Sequence, residues 1–110
     1  MKRITNPQLI ELKRAAACVI SGERPVDVHH LMSRKAGGPD LDWNLCPLKR
    51  EYHNEIHNGG KARMAKKYEK FKQFLILKGW YLCPVRKKWI HEEMFTCNKA
   101  HDGHRESEIN

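Results

Sequence analysis

The sequence predicts a small α+β protein built as one domain. Residues 5–19 and 61–79 repeat apolar side chains at the spacing of amphipathic helices. Residues 26–29 instead alternate apolar and polar side chains, as a strand with one buried face does. A length of 110 residues, of which 40% are hydrophobic, allows one modest core.

The balance of charge favours a polyanionic partner. Lys and Arg number 21 and Asp and Glu number 13, which gives a formal net charge of +8. Nucleic acid is the simplest polyanion for such a chain to bind. No apolar run approaches the roughly 18 residues that a membrane helix needs, and no apolar signal-peptide segment follows Arg3. We therefore expect a cytoplasmic protein without a membrane partner.

The first half of the chain is predicted to form a helix, two strands and a second helix. The helix over residues 5–19 begins at a cap on Thr5 or Asn6, and Pro7 suits its first turn. Its apolar stripe consists of Leu9, Leu12, Ala16 and Val19. The next elements are a strand over residues 25–32, a polar loop over 33–42, a return strand over 43–48 and a helix over 49–58 that ends at Gly59–Gly60.

The second half is predicted to form a supporting helix over residues 61–79 and a small β hairpin over residues 80–91. One side of that helix is expected in the core, namely Met64, Tyr68, Phe71 and Leu75. Another side carries cations that either contact phosphates or form a solvated charged face, namely Arg63, Lys66, Lys67 and Lys70. Residues 1–97 form the domain, and the polar residues 98–110 are expected to be a disordered tail.

The cysteines indicate neither a zinc knuckle nor a disulfide framework. They form no C-x-x-C pair, and disulfides are rare in the cytosol. Cys18 and Cys46 have apolar neighbours and are expected in the core. A C-terminal group fits no standard zinc finger, and its spacing leaves open whether it binds a second metal: Cys83, His91, Cys97, His101 and His104.

Two histidines lie four residues apart in "HNEIH", which places His53 and His57 on one face of the predicted helix. Such a pair can bind one metal ion, as in H-E-x-x-H proteases. Glu55 follows His53 by two residues and points roughly 200° away around the helix, which excludes metalloprotease chemistry. A third ligand is expected from His29–His30, where strand neighbours face opposite ways. One can bind the ion while the other accepts a proton from water.

These residues together resemble the motif of the HNH, or ββα-metal (His-Me finger), endonucleases. The motif consists of "DVHH", Asn44 in "WNLCP", and "HNEIH". Asn44 follows His30 by 14 positions, His53 follows Asn44 by 9, and His57 follows His53 by 4. The H-x-x-x-H form is similar to the colicin DNase branch, and residues 53–71 look more like small phage-type HNH proteins. The resemblance covers about residues 18–75. It implies a ββα-metal core over residues 26–60, with flanking helices.

The resemblance also implies a role for each residue of the motif. His30 matches the general base, and the ligands of one divalent metal ion match His29, His53 and His57. Asn44 matches the asparagine that, in different members, fixes the loop carrying the base or touches the metal. The implied reaction is hydrolysis of DNA phosphodiester bonds, by nicking or double-strand cleavage, to 5′-phosphate and 3′-hydroxyl ends. A phage-encoded chain would act in the host cell cytoplasm.

The chain departs from many members of the family at two places. His29 stands where many members have Asp, and imidazole favours zinc, nickel or manganese over magnesium, so the candidate ions are Zn, Mn, Ni and Mg. Lys49 and Tyr52 stand where many members carry zinc-knuckle cysteines, so no structural zinc is expected there. Adjacent His29 and His30 could exchange roles if the strand twists or bulges.

Further side chains near the motif are candidates for support. Asp27 shares a strand face with His29, and it is either a hydrogen-bond partner of a liganding imidazole or a solvated carboxylate. Arg34 and Lys35 in the loop, and Arg50 one turn before His53, are further candidates for phosphate contacts.

Two other classes of protein fit parts of this pattern. A catalytically silent DNA-binding module would hold a structural zinc on His29, His53 and His57, and it would need a fourth protein ligand instead of a base. A basic adaptor without metal would not respond to a chelator. With one site per chain, a nuclease would nick DNA as a monomer or cut both strands as a homodimer.

Overall fold

The structure, a computed structural model, describes residues 3–93 and confirms the α+β class. Three helices and two small antiparallel sheets follow one another along the chain. The expected disordered tail, residues 98–110, lies outside the described residues. Within the described part, no helix is both long enough and apolar enough to cross a membrane.

The first helix, α1, spans Pro7–Arg14 and is shorter than predicted. Asn6 caps it, because its side-chain oxygen accepts a hydrogen bond from the Leu9 amide at 3.1 Å. The helix ends early, and the amide of Cys18 bonds instead to a carbonyl of the loop before the first strand. The predicted apolar stripe is wrong at Leu12, which stays 69% exposed.

Two short strands form the first sheet and carry the histidine pair. Strand β1 spans Asp27–His30, and strand β2, antiparallel to it, spans Leu45–Leu48. His29 lies opposite Cys46 in this pairing. Every residue of β2 is buried. Helix α1 and the helix that follows β2 in the sequence both pack against this strand.

The second helix, α2, spans Arg50–Lys67, but its backbone is non-helical at Gly60, so two helical segments meet there. The first segment therefore ends at the predicted place, Gly59–Gly60. Gly60 kinks this helix, with φ of 82° and ψ of 168°, a conformation that is essentially restricted to glycine. Tyr68, with φ of −122° and ψ of 109°, then interrupts the predicted helix 61–79. Helix α3 spans Glu69–Leu77. The predicted supporting helix over residues 61–79 is therefore two shorter helical segments, one on each side of Tyr68.

The predicted C-terminal hairpin is confirmed as strands β3, Trp80–Cys83, and β4, Lys88–His91, which pair antiparallel. Trp80 and Trp89 join the main core, which β2, α2 and α3 also form. The side chains predicted for this core are buried in it or packed against it: Cys18, Cys46, Met64, Tyr68, Phe71 and Leu75.

Candidate metal centre

Three histidines from two elements meet at one place. His29 lies on β1, and His53 and His57 lie on the first half of α2. Each offers one ring nitrogen, and these three nitrogens lie within 4.8 Å of one another. The ring centroids are 5.1 Å apart for His29–His53, 5.2 Å for His29–His57 and 4.7 Å for His53–His57. The three residues expected as ligands are thus brought together.

Helix periodicity and packing together produce this cluster. A separation of four residues puts His53 and His57 one turn apart on the same face of α2. Ile56, in the same turn, is 4% exposed and belongs to the core, which fixes the rotation of the helix against the sheet. Since β1 and α2 are in contact, the half-buried His29 reaches the helical pair.

Asp27 orients one of these imidazoles. Its Oδ2 lies 3.0 Å from Nδ1 of His53, and Arg50 binds the same carboxylate through Nε at 2.9 Å and Nη2 at 3.2 Å. These hydrogen bonds from Arg50 and His53 lower the pKa of Asp27 to about 2. Because an ionised carboxylate only accepts hydrogen bonds, Nδ1 of His53 donates, and in the corresponding neutral tautomer Nε2 carries the lone pair. Asp27 was expected to be either a hydrogen-bond partner of an imidazole or a solvated carboxylate. In the structure it is a hydrogen-bond partner of His53.

The spacing and charge of the cluster suit a metal ion. Two nitrogens bound to a tetrahedral zinc at about 2.0–2.1 Å lie ~3.3 Å apart, and the Nε2 atoms of His53 and His57 lie 3.1 Å apart. Burial lowers the pKa of His29 to about 3, with smaller contributions from the charges of His53, His57, Lys61 and His30. Its ring is therefore neutral, which is the form that binds metals. Three imidazoles also leave one ligand position for a water or substrate, as catalytic zinc sites do.

His30 lies outside this cluster. Its side chain is buried, and its Nε2 lies 2.7 Å from Oδ1 of Asp40. The rings of His29 and His30 therefore have different partners, as the alternation of side chains along a strand predicts. The expected base is next to a cluster residue in sequence, and a carboxylate outside the cluster fixes its ring.

Asn44 fixes the loop between β1 and β2. It is fully buried, its Oδ1 accepts the Met32 amide hydrogen at 2.7 Å, and its Nδ2 donates to the carbonyls of Met32 and Pro39, both at 3.0 Å. Gly38 approaches the same turn so closely that an added Cβ would lie 1.8 Å from the Met32 oxygen. Of the two roles expected from the resemblance, these contacts are those of a loop-fixing residue.

The cluster borders a polar cleft of about 450 Å³. Two arginines line it beside His53 and His57, namely Arg50 at the start of α2 and Arg14 at the end of α1. Arg14 also pairs with Glu11, one turn earlier in α1. An anionic group in this cleft would meet both guanidinium groups and the histidine rings.

The cations predicted to contact phosphates fall into paired and unpaired groups. Arg50 pairs with Asp27 although its side chain is 79% exposed, and Lys67 pairs with Glu55 at 2.8 Å. Lys70 lies on α3, so the prediction that it shares one helical face with the other three is wrong. The rest are exposed and form no ion pair within residues 3–93: Arg34, Lys35, Arg63 and Lys66.

A groove of about 560 Å³ lies between the end of α2, α3 and the C-terminal hairpin. Leu82, Pro84 and Trp89 contribute to its apolar lining. Among residues 3–93, no carboxylate lines the groove. Each of the three surrounding elements adds one lysine to the lining: Lys66, Lys72 and Lys87. This surface combines positive charge with apolar contact area.

Sequence reasoning missed Asp40, Arg14 and Lys61. The Nζ of Lys61 donates to the carbonyl of Leu31 at 3.0 Å, and burial lowers the pKa of this lysine. Only contacts across many residues reveal these roles, and the one local signal was the tight "GGP" turn that precedes Asp40. A tight turn in a loop can bring a carboxylate of that loop back against the strand before the loop, as Asp40 returns to His30 of β1.

Two other expectations concern residues away from the cluster. Glu55 accepts hydrogen bonds from Lys67 and from the Tyr68 hydroxyl, both at 2.8 Å. Its partners are therefore not the clustered histidines, as expected for a side chain that points away from His53. In the proposed C-terminal group, His91 Nε2 donates to the Lys78 carbonyl at 2.6 Å. The remaining members of that group beyond Cys83 lie outside the described residues: Cys97, His101 and His104.

The site combines three clustered imidazoles, a polar cleft and a fourth imidazole held by a carboxylate. Such a set can hold a divalent ion and bind an anionic group beside it. Models of known protein families, curated proteins and solved structures give no match to this chain.

Proposed function

We propose that this protein is a metal-dependent HNH endonuclease that hydrolyses DNA phosphodiester bonds to 5′-phosphate and 3′-hydroxyl ends. The observation that carries the proposal is the convergence of His29, His53 and His57 within 4.8 Å. These residues come from a strand–strand–helix unit, and a ββα-metal core has the same order of elements. The position of Asn44, which fixes the loop after the first strand, supports the same family.

The three clustered histidines would hold one divalent ion. Zinc, nickel and manganese suit an all-imidazole set better than magnesium does, so the candidate ions are Zn, Mn, Ni and Mg. Such an ion, when bound, neutralises charge on the scissile phosphate and stabilises the leaving 3′ oxygen. Asp27 supports this use, because its hydrogen bond leaves the Nε2 lone pair of His53 available.

The other residues of the site would bind the substrate and move a proton. His30 accepts a proton from the attacking water. Asn44 holds the loop that follows His30 in place. Arginines in the cleft and the unpaired cations attract the DNA backbone. The net charge of +8 adds to this attraction. The protein would act in the cytoplasm, nicking as a monomer or cutting both strands as a homodimer.

One observation favours a second candidate, a catalytically silent DNA-binding module with a structural metal. His30 is only 8% exposed and is paired with Asp40, whereas a base must reach its water. A structural zinc, however, is usually closed by four protein ligands, and the cluster found within residues 3–93 contains three. We therefore rank the nuclease first.

Plasmid relaxation by the metal-stripped full chain tests the proposal. Zn, Mn, Ni or Mg is added back separately, and relaxed or linear DNA is expected only with metal. His30→Gln, which has an amide but no basic nitrogen, should lose activity by roughly 10²–10⁴-fold while still binding zinc. Gln73→Ala, on the exposed side of α3, is the control and should cleave as the wild-type chain does.

One outcome would contradict the nuclease, and another would contradict the role of His30. Intact plasmid with every metal, together with zinc binding that raises the melting temperature, would favour the DNA-binding module. Cleavage that is equal in His30→Gln and in the wild-type chain would remove His30 from the mechanism.

A further inference from the structure

Asp40 is a buried carboxylate that joins three parts of the chain. Its Oδ1 lies 2.7 Å from Nε2 of His30 and 2.7 Å from Nη1 of Arg3, and its Oδ2 accepts the Asn6 amide hydrogen at 2.8 Å. Its own amide donates to the carbonyl of Ile4 at 2.9 Å. The carboxylate is thus fixed between the N-terminal segment and the last residue of β1.

These contacts determine which nitrogen of His30 carries a hydrogen. Burial raises the pKa of Asp40, but hydrogen bonds from His30, the Asn6 amide and Arg3 outweigh burial and lower that pKa to about 2. The carboxylate is therefore ionised at neutral pH and only accepts hydrogen bonds, so Nε2 of His30 donates. In the tautomer whose single N–H group is on Nε2, the lone pair is on Nδ1.

The Nδ1 atom of His30 is a buried acceptor without a hydrogen-bond partner among residues 3–93. The side chain is 6% exposed, and buried polar atoms in proteins nearly always have a partner. A small hydrogen-bond donor such as water is the kind of molecule that this nitrogen can bind. The geometry therefore distinguishes the two nitrogens of the ring: Asp40 holds Nε2, and Nδ1 has no partner among residues 3–93.

We propose that Asp40 is a positioning residue that anchors His30 through Nε2, so that Nδ1 accepts the proton of the attacking water. The inference rests on the proposed nuclease function. The water O–H bond breaks and its proton passes to Nδ1, while the water oxygen forms a bond to phosphorus. The bond from phosphorus to the 3′ oxygen breaks, its electron pair stays on that oxygen, and the oxygen takes a proton from solvent. Asp40 stays ionised and stabilises the imidazolium, as a carboxylate does beside other histidine bases.

Arg3 provides a matched comparison with Asp40. It contacts the same carboxylate oxygen and the Gly38 carbonyl, at 2.7 and 3.2 Å, and makes no hydrogen bond to His30. Arg3→Ala therefore weakens the contact between the N-terminal segment and the loop that carries Asp40. It keeps the hydrogen bond between Asp40 and Nε2 of His30. Asp40→Asn keeps the shape of the side chain and removes the charge that fixes the ring.

The first test does not depend on catalysis. Long-range ¹H–¹⁵N spectra of the ¹⁵N-labelled full chain with zinc show which nitrogen of each histidine ring carries a hydrogen, and His30→Gln assigns the signal. We expect a protonated Nε2 and a bare Nδ1 for His30 in the wild-type chain and in Arg3→Ala, and loss of this single tautomer in Asp40→Asn. A wild-type ring protonated on Nδ1, or an unchanged ring in Asp40→Asn, would overturn the inference.

The second test separates positioning from structural support. Asp40→Asn should lower kcat for plasmid nicking by roughly 10²-fold or more, with KM and zinc affinity changed less than about threefold. Arg3→Ala should keep kcat within about threefold of the wild-type value. Equal losses in the two variants, or an effect on KM alone, would make Asp40 a purely structural residue. A wild-type chain that cleaves nothing would refute the nuclease and this role together, and the spectra would still show whether Asp40 sets the ring.

Discussion

Asp27 and His53 are joined by a hydrogen bond of 3.0 Å between Oδ2 and Nδ1, which determines the nitrogen that faces His57. Asp27 is ionised, because Arg50 and His53 lower its pKa to about 2. Nδ1 of His53 therefore carries a hydrogen, and its Nε2, which carries the lone pair in that neutral tautomer, lies 3.1 Å from Nε2 of His57. Asp27, which Arg50 holds in place, thus orients the His53 imidazole for binding a metal.

Asp27→Asn should weaken zinc binding by about 10–100-fold, since it removes the charge that holds the tautomer and the ring orientation. Calorimetric titration of the metal-stripped chain measures the affinity. Glu51→Gln is the matched control, because Glu51 is an exposed carboxylate in the first turn of α2 that pairs with Lys49 at 3.8 Å. Equal zinc affinities for Asp27→Asn and the wild-type chain would show that Asp27 does not support the site.

Zinc should stabilise the folded chain through the three-histidine cluster. At a free concentration of 100 times Kd, one bound ion adds about 2.7 kcal/mol to the free energy of unfolding, which raises Tm by roughly 10–20 °C. His57→Ala removes a ligand and should abolish most of this shift, whereas Asn58→Ala, at the exposed neighbouring position, should retain it. Thermal scans with zinc and with a chelator measure the shift, and a full shift in His57→Ala would place the zinc elsewhere.

Asp40 should make the metal-free chain sensitive to acid. Its pKa falls from 3.8 to about 2 on folding, so its contribution to stability is complete above about pH 4 and is lost as the pH falls toward 2. The lost stability is about 2 kcal/mol. Urea unfolding between pH 6 and 2 should show a smaller decrease for Asp40→Asn than for the wild-type chain. Parallel pH dependences would contradict a charged, hydrogen-bonded Asp40 in the native state.

Local patterns in the sequence were sufficient where one element determines the outcome. The four-residue spacing predicted that His53 and His57 share a helical face, and apolar periodicity predicted the burial of Met64, Phe71 and Leu75. The alternation of side chains along β1 also predicted that adjacent histidines have different partners.

Tertiary contacts determined what the sequence did not predict. Tyr68 has no helix-breaking side chain, yet it interrupts the helix where its hydroxyl bonds Glu55. Asp40 is ten residues from His30 and belongs to a loop without periodicity, so no spacing rule could identify it.

Gly60→Ala should destabilise the chain, because the kink requires a backbone conformation that is essentially restricted to glycine. We expect a loss of about 1–3 kcal/mol in the free energy of unfolding. Gly59→Ala is the matched control. An added Cβ at that helical position meets only the flexible Arg63 side chain, and alanine gains about 0.5–1 kcal/mol over glycine in a helix. Chemical denaturation of both variants measures the difference, and equal stabilities would mean that the kink relaxes without cost.

Lys66 and Lys67 are adjacent in α2, but within the described part of the chain only Lys67 is neutralised by an ion pair, with Glu55 at 2.8 Å. If α2 contacts the DNA backbone, Lys66→Ala should reduce the slope of log Kd against log salt by about 0.9, the value for one phosphate contact. Lys67→Ala should change the slope less, because its charge already has a partner. Fluorescence anisotropy with a DNA duplex, in a chelator and on the His30→Gln background, measures binding without cleavage.

The three possible results of that salt titration have different meanings for the surface formed by α2. A smaller slope for Lys66→Ala alone supports a contact at the lysine-lined groove, where Lys72 and Lys87 are the next residues to test. Equal decreases in the two variants would mean that the Lys67–Glu55 pair opens on binding. Unchanged slopes in both variants would remove this part of α2 from the interface and leave the arginines of the cleft, Arg14 and Arg50, as the contacts to test.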